Sequence, residues 1–249
     1  MRFFLLAVLS HLIADFILQT GYIVNLKRKN RIKGYLTHGF ILFTVYLILL
    51  SCYGAKTAFY FGLWVTLGHI TIDWVKDRLV GMGSPVRDLV LFIGDQLAHL
   101  FILLFLWQEF LTQPIKPVFS PVIELKLESG QFSIPLFTEE VLVSAIFYLV
   151  ATFVGGIVVK KILNLVKIAA QQANVKVGYY IGLVERALIV TLVVFGSISS
   201  LALVLTAKSL ARFERLRSKD FAEYYLLGTL TSTFIALVGG LILKSYLGL

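Results

Sequence analysis

FFLLAVLSHLIADFILQT, residues Phe3–Thr20, is the stretch that decides the fold. It is apolar and long enough to cross a bilayer, yet it carries His11 and Asp15 in its middle. Only Arg2 precedes it and no A-x-A-like cleavage site follows, so it reads as a retained first span and not a cleaved signal peptide. His11 and Asp15 are one helical turn apart and share a face. A charged side chain at mid-span costs about +2.5 to +3.5 kcal/mol on insertion scales. A span that keeps such a residue has a partner for it, a cation, or a reaction.

The rest of the chain repeats the pattern of that stretch. Of 249 residues, 58% are hydrophobic and 15% charged, and the mean hydropathy is +0.87. A soluble, disordered or collagen-like chain is excluded. The expected class is an all-α polytopic membrane protein of about seven transmembrane helices, within a range of six to eight. Further spans read as Tyr35–Cys52, Thr57–Val75, Asp88–Phe110, Glu140–Val159, Tyr179–Ala207 and Phe221–Lys244. Lys27, Arg28, Lys29, Arg31 and Lys33 make a basic loop, and Gly81, Gly83, Ser84 and Pro85 give turn chemistry between spans 3 and 4. Gln113–Phe137 holds Pro114, Pro117, Pro121 and Pro135 with Glu124, Lys126 and Glu128, so it reads as an extramembrane loop with a short strand near Val122–Leu127. The expected organisation is therefore a four-helix bundle over 1–112, a Pro-rich loop over 113–138, and a C-terminal helical unit over 139–249. The last has about three spans and an amphipathic interfacial segment at Lys160–Val177.

The formal charge of +9 marks loops facing an anionic leaflet and not nucleic-acid binding. With the N-terminus outside, the positive-inside rule places fourteen basic residues inside and nine outside. Lys208–Lys219 then puts five basic residues on the wrong side, and a break in span 6 near Gly196-Ser197 would reverse that by making a hairpin or re-entrant pair. The expected location is the bacterial cytoplasmic (inner) membrane. The one cysteine, Cys52, excludes an intramolecular disulfide and a thiolate cluster.

All four histidines, His11, His38, His69 and His99, fall in spans 1 to 4, one in each. Three have an aspartate four residues away: His11/Asp15, His69/Asp73 and Asp95/His99. With six aspartates in the chain, a given histidine meets one at that spacing about one time in twenty. Counted from the two loops that spans 1–2 and 3–4 share, these residues lie between roughly 5 and 17 Å deep in the same leaflet. Imidazole plus carboxylate suits Zn²⁺, Mn²⁺ or Fe²⁺, and seven donors are enough for one or two ions. The expected metal ligands are His11, Asp15, His38, His69, Asp73, Asp95 and His99. The aspartates Asp15, Asp73 and Asp95 are the catalytic candidates. Gln19 and Gln96 are the expected supporting residues around them. The competing reading is that the same groups only hydrogen-bond between helices as polar glue.

The run H-L-I-A-D-F-I-L-Q-T (His11–Thr20), His38, H-I-T-I-D-W-V-K (His69–Lys76) and D-Q-L-A-H (Asp95–His99) resembles the bacterial membrane family called domain of unknown function 3307. The likeness covers residues 1–110, and Gly178–Arg186, Lys208–Phe213 and Ala222–Thr229 are similar to the C-terminal part of its longer members. That family implies no established activity. More remotely, spans bearing His and Asp resemble membrane-bound metal-dependent hydrolases, which implies metal-assisted hydrolysis.

A second polar group flanks span 6: Glu185 and Arg186 before its middle, and Lys208, Arg212 and Glu214 at its end. On one straight helix Glu185 and Lys208 would stand about 35 Å apart and could not pair. Lys208 and Arg212 are instead candidates for binding an anionic headgroup, with snorkelling charge as the plainer alternative. Gly178/Gly182 and Gly239/Gly240 read as small-residue helix contacts. No P-loop, dinucleotide fingerprint, HExxH or G-x-S-x-G is present. Three functions compete: a metal-dependent hydrolase acting on a lipid or lipid-linked phosphate, an ion- or proton-coupled transporter, and a membrane scaffold. The expected partners are membrane lipids and no nucleic acid.

Overall fold

The computed structural model describes residues 1–29, 31–79, 84–110, 117–119, 121–127, 130–166 and 175–249. Gly81, Gly83, Pro114, Glu128 and Lys167 lie outside the described residues. The elements in order are α1 (Arg2–Leu12), α2 (Gly21–Lys29), α3 (Arg31–Leu50), α4 (Ala55–Leu79), α5 (Pro85–Phe110), β1 (Val122–Leu127), β2 (Gly130–Pro135), α6 (Glu139–Leu149), α7 (Gly155–Leu165), α8 (Val175–Val194), α9 (Ser200–Leu210) and α10 (Lys219–Leu247). Wider π turns extend α1 over Ile13–Leu18 and join α6 to α7 over Val150–Val154. The chain is a helical membrane protein. Its one sheet among the described residues is an antiparallel hairpin, β1–β2, running from Val122 opposite Pro135 to Leu127 opposite Gly130.

Five stretches are long and apolar enough to cross a membrane: Arg31–Tyr53, Pro85–Phe110, Glu139–Leu165, Val177–Val194 and Lys219–Leu247. A sixth counts if α1 with its π turn and α2 form one bent span. The expected third span, α4, has 25 residues but is not among them, because Gly, Thr, His69 and Asp73 dilute its apolar content. The chain divides into two compact units, one of residues 1–83 and 90–146, the other of 84–89 and 147–249.

In the first unit α1, α3 and α4 pack around Leu6, Leu42, Tyr46, Leu50 and Phe61, all fully enclosed. Lipid tails are as apolar as these side chains, so close packing and not hydrophobic transfer holds the helices together. α5 shows its two faces clearly. Val90, Ile93, Leu97, Phe101 and Phe105 are exposed along one stripe, while Asp95, His99 and Leu103 are buried on the other. That is the pattern of a helix with lipid on one side and a polar core on the other. After Leu18 the backbone leaves helical geometry at Gln19, with φ −74° and ψ 76°. The next helix sets off at 87° to the first. The stretch read as a basic loop is therefore partly helical: α2 carries Lys27 back across the end of the bundle.

In the second unit α6 and α7 form one continuous span through their π turn. The helix runs on to Leu165, so the expected interfacial segment begins inside α7, as a continuation of the same helix; residues 167–174 lie outside the described ones. The expected single helix Tyr179–Ala207 is broken. α8 ends in a Schellman motif, with Gly196 N–H donating to the Val193 carbonyl at 3.0 Å and Ser197 N–H to the Leu192 carbonyl at 2.7 Å. Gly196 takes the left-handed conformation, φ 73°, that such a cap requires. α9 then doubles back along α8, bringing Lys208 to Glu185 and Arg212 to Gly178. α10 runs parallel to α8, with Ser232 beside Arg186 and Gly240 against Val193.

Candidate functional site

Four helices of the first unit each send one imidazole to a common point. The His69 and His99 rings stack at 3.9 Å with 11° between planes. His11 lies 5.3 Å from His69 and 5.1 Å from His99, and His38 lies 5.1 Å from His69. The His38 and His69 Nε2 atoms are 3.0 Å apart, so one ring donates to the other. Asp15 Oδ1 is 3.3 Å from both of these Nε2 atoms. Asp73 Oδ2 is 3.8 Å from His38 and 3.7 Å from His69, and Asp95 Oδ1 is 3.9 Å from His99. His11, Asp15, His38, His69, Asp73, Asp95 and His99 thus converge, and all are shielded from solvent.

The local pairing differs from what the spacing suggests. The i,i+4 pair His11/Asp15 is 3.9 Å apart, longer than the contacts Asp15 makes to His38 and His69 on other helices. Residues one turn apart on a face point the same way and need not point at each other. Asp15 sits in the π turn, and π turns widen the helix and recur at functional sites.

Two lysines absent from the expected set complete the cluster. Lys27 Nζ donates to Asp73 Oδ2 at 2.5 Å. Lys76 Nζ donates to Asp73 Oδ1 at 3.0 Å and to Asp95 Oδ2 at 2.9 Å. Lys76 stands three residues after Asp73 on α4, a spacing readable in the sequence. Lys27 reaches the site only through the 87° bend, which no local pattern announces. Gln96 donates to Asp95 Oδ2 at 3.0 Å. Gln19 stands at the bend and, among the described residues, makes no hydrogen bond to the cluster. Asp77 instead accepts from the Tyr35 hydroxyl at 2.6 Å.

The lysines divide the donors into two classes. Both oxygens of Asp73, and Oδ2 of Asp95, are taken by ammonium groups. Asp15 Oδ1, Asp95 Oδ1, and both ring nitrogens of His99 are buried without a hydrogen-bond partner. Buried polar atoms are nearly always satisfied, so orphans gathered at one point ask for something else to fill them. His11, Asp15, His69 and His99 each offer a donor atom, all within 4.8 Å of one another. Ligands of a tetrahedral Zn²⁺ at 2.0–2.2 Å stand about 3.4 Å apart, so small rotamer shifts close the set. Three aspartates against two lysines leave one negative charge when the imidazoles are neutral, which favours an added cation. The donor chemistry fits one divalent ion without displacing a lysine. The groups His38–His69–Asp73 and Asp73–Asp95–His99 are as close together, but each requires Asp73 to give up a lysine.

The polar group of the second unit is arranged differently. The Arg186 guanidinium donates to the Thr152 carbonyl at 3.0 and 2.7 Å and to Ser232 Oγ at 3.1 Å. Thr152 lies in the π turn Val150–Val154, and its carbonyl accepts from the Gly155 N–H as well as from the guanidinium. Gly156 and Gly182 border this guanidinium and Gly178 borders that of Arg212, so these glycines make room for arginines and not for a second helix. Lys208 Nζ meets Glu185 Oε2 at 2.6 Å and lies 5.5 Å from the Tyr225 ring centre. Lys208 is therefore committed to Glu185. Arg212 lies 5.9 Å over the same ring and, among the described residues, has no carboxylate within ion-pair distance.

Compared with known proteins, residues 3–125 match the model of the family described as Protein of unknown function (DUF3307). No curated protein and no solved structure matches.

Proposed function

Because the N-terminal half, residues 3–125, belongs to the DUF3307 family, whose description carries no activity, we propose a function from the site itself: a metal-dependent hydrolase of the bacterial inner membrane, acting on a lipid or lipid-linked phosphate. The observation that supports this reading is the convergence of buried ligand atoms of His11, Asp15, His69 and His99 within 4.8 Å of one another, those of Asp15 Oδ1 and His99 without a hydrogen-bond partner, beside carboxylates already neutralised by Lys27 and Lys76. A divalent ion held there supplies a water-derived nucleophile near neutral pH. Asp15 is the carboxylate free to ligate. Asp73, fixed between two ammonium groups, and Asp95, with one oxygen free, hold the lysines in place. Lys76 is the more open of the two, with 27% of its side chain exposed against 9% for Lys27. It is placed to meet the anionic head of a substrate that arrives from the lipid. Zn²⁺ or Mn²⁺ suits the nitrogen and oxygen donors.

One observation favours a second reading. The lysines already neutralise two of the three aspartates, so a scaffold role needs only Asp15 paired with a protonated histidine. Metal analysis of the purified full-length protein separates the two. Stoichiometric transition metal, lost in Asp15→Asn and kept in Asp77→Asn, supports the hydrolase. Wild-type protein that takes up no Zn²⁺ or Mn²⁺ after chelation and reloading favours the scaffold.

A further inference from the structure

The second unit carries a site of its own, independent of the metal reading. The turn that joins α9 to α10 borders an open cleft of about 580 Å³ lined by Leu210, Arg212, Phe213, Glu214 and Arg215. Lys208 and Lys219, which flank it, are engaged by Glu185 at 2.6 Å and Glu223 at 4.0 Å. Among the described residues, neither Arg212 nor Arg215 has a carboxylate within ion-pair distance. Arg212 is half-buried, with its guanidinium held over the Tyr225 ring, and Tyr225 is fixed in turn by a 3.3 Å contact to Ser209. Held in this way, Arg212 is less free to collapse onto a chance counter-ion. Two apolar side chains border the arginines, Leu210 at 72% and Phe213 at 58% exposure. A pair of unpaired guanidiniums beside an apolar shoulder is the chemistry of an amphiphile with an anionic head.

We propose that Arg212 and Arg215 bind the phosphate of an anionic phospholipid, with its acyl chain laid along Leu210 and Phe213. Lys208, the lysine that the sequence pattern pairs with Arg212, takes no part. It latches α9 to α8 through Glu185, and so sets where the arginine pair stands.

The test uses the whole protein in detergent, titrated with phosphatidylglycerol and followed by native mass spectrometry. R212Q/R215Q is compared with R217Q/K219Q, which removes two positive charges at the end of the same turn and the start of α10, outside the cleft lining. The expected result is about a tenfold loss of affinity in the first pair and less than about twofold in the second. Equal losses would mean diffuse surface charge and overturn the proposal. If R212Q/R215Q fails to fold, the exposed single change Arg215→Gln is set against Arg217→Gln with the same expectation. Inorganic phosphate at millimolar concentration serves as competitor. It should leave the lipid bound, because it cannot reproduce the contacts to Leu210 and Phe213. Displacement by phosphate alone would assign the arginines to a soluble anion and remove the lipid.

Discussion

The two polar clusters answer the same problem, charge inside an apolar fold, in opposite ways. In the first unit Asp15 Oδ1, Asp95 Oδ1 and both His99 nitrogens are left open. In the second, the Arg186 guanidinium spends its donors on the Thr152 carbonyl and Ser232, and Lys208 closes on Glu185; of that group only Glu185 Oε1 lacks a partner. Both lie against a π turn, so the irregular helix alone does not distinguish them. What distinguishes them is satisfaction. A buried charge whose bonds all go to backbone and side chains is holding the fold together. Buried donors that converge and remain open are a place for a ligand.

The sharpest way to break this contrast is Asp15→Asn. The amide keeps the volume and loses the charge and one acceptor. Bound metal should fall from about one equivalent to near none, by mass spectrometry of the purified protein, while helicity and the elution profile stay unchanged. Asp73→Asn should do the reverse. It leaves Lys27 and Lys76 under-neutralised and lowers stability by about 3 kcal/mol, as breaking a buried pair does. If Asp73→Asn strips the metal and Asp15→Asn does not, the division of donors by the lysines is wrong.

Arg186→Met tests the other side. It removes the charged hydrogen bonds to the Thr152 carbonyl and Ser232, which should cost about 3 kcal/mol in a denaturation curve, with metal content untouched. Lys208→Met should be milder, at about 1–3 kcal/mol, and Glu185→Gln in the same background should recover part of it. Strict additivity of the two changes would show that the 2.6 Å pair contributes nothing.

How far the sequence could be read follows from the range of each interaction. The His/Asp cluster was readable because its members are spaced by helical turns and would be costly in lipid if unpaired. The stripe on α5 was readable for the same reason of periodicity. Lys27 was not, because it reaches Asp73 only after an 87° turn with nothing but Gln19 and Thr20 between the helices. On a straight helix Glu185 is out of the reach of Lys208. The hairpin that joins them depends on the cap at Gly196, and one glycine among nineteen in the chain is a weak signal until its φ is known. The strand at Val122–Leu127 followed from its alternating residues, whereas its partner Gly130–Pro135 carries Gly and Pro at its ends and reads as loop.

The smallest expected effect is at Gly196, and there the sign carries the information. In an unbroken helix Gly→Ala stabilises by about 1 kcal/mol. At a C′ position with φ 73° the same change forces a Cβ into the left-handed region and destabilises by about 1–2 kcal/mol. The neighbour a Cβ would meet, Lys244 Nζ at 3.2 Å, is the end of a flexible chain and can move, so the backbone term decides. Gly196→Ala should therefore lower the unfolding midpoint, and Gly196→Asn should lower it less, since Asn tolerates this conformation. A rise with Ala would mean that α8 and α9 are one helix. The charge pattern depends on that outcome. With α9 returning along α8, Lys208, Arg212, Arg215, Arg217 and Lys219 fall on the same side as Lys160, Lys161 and Lys176, and Lys244 goes to the other. The five basic residues that a straight helix places on the wrong side are then where the positive-inside rule wants them.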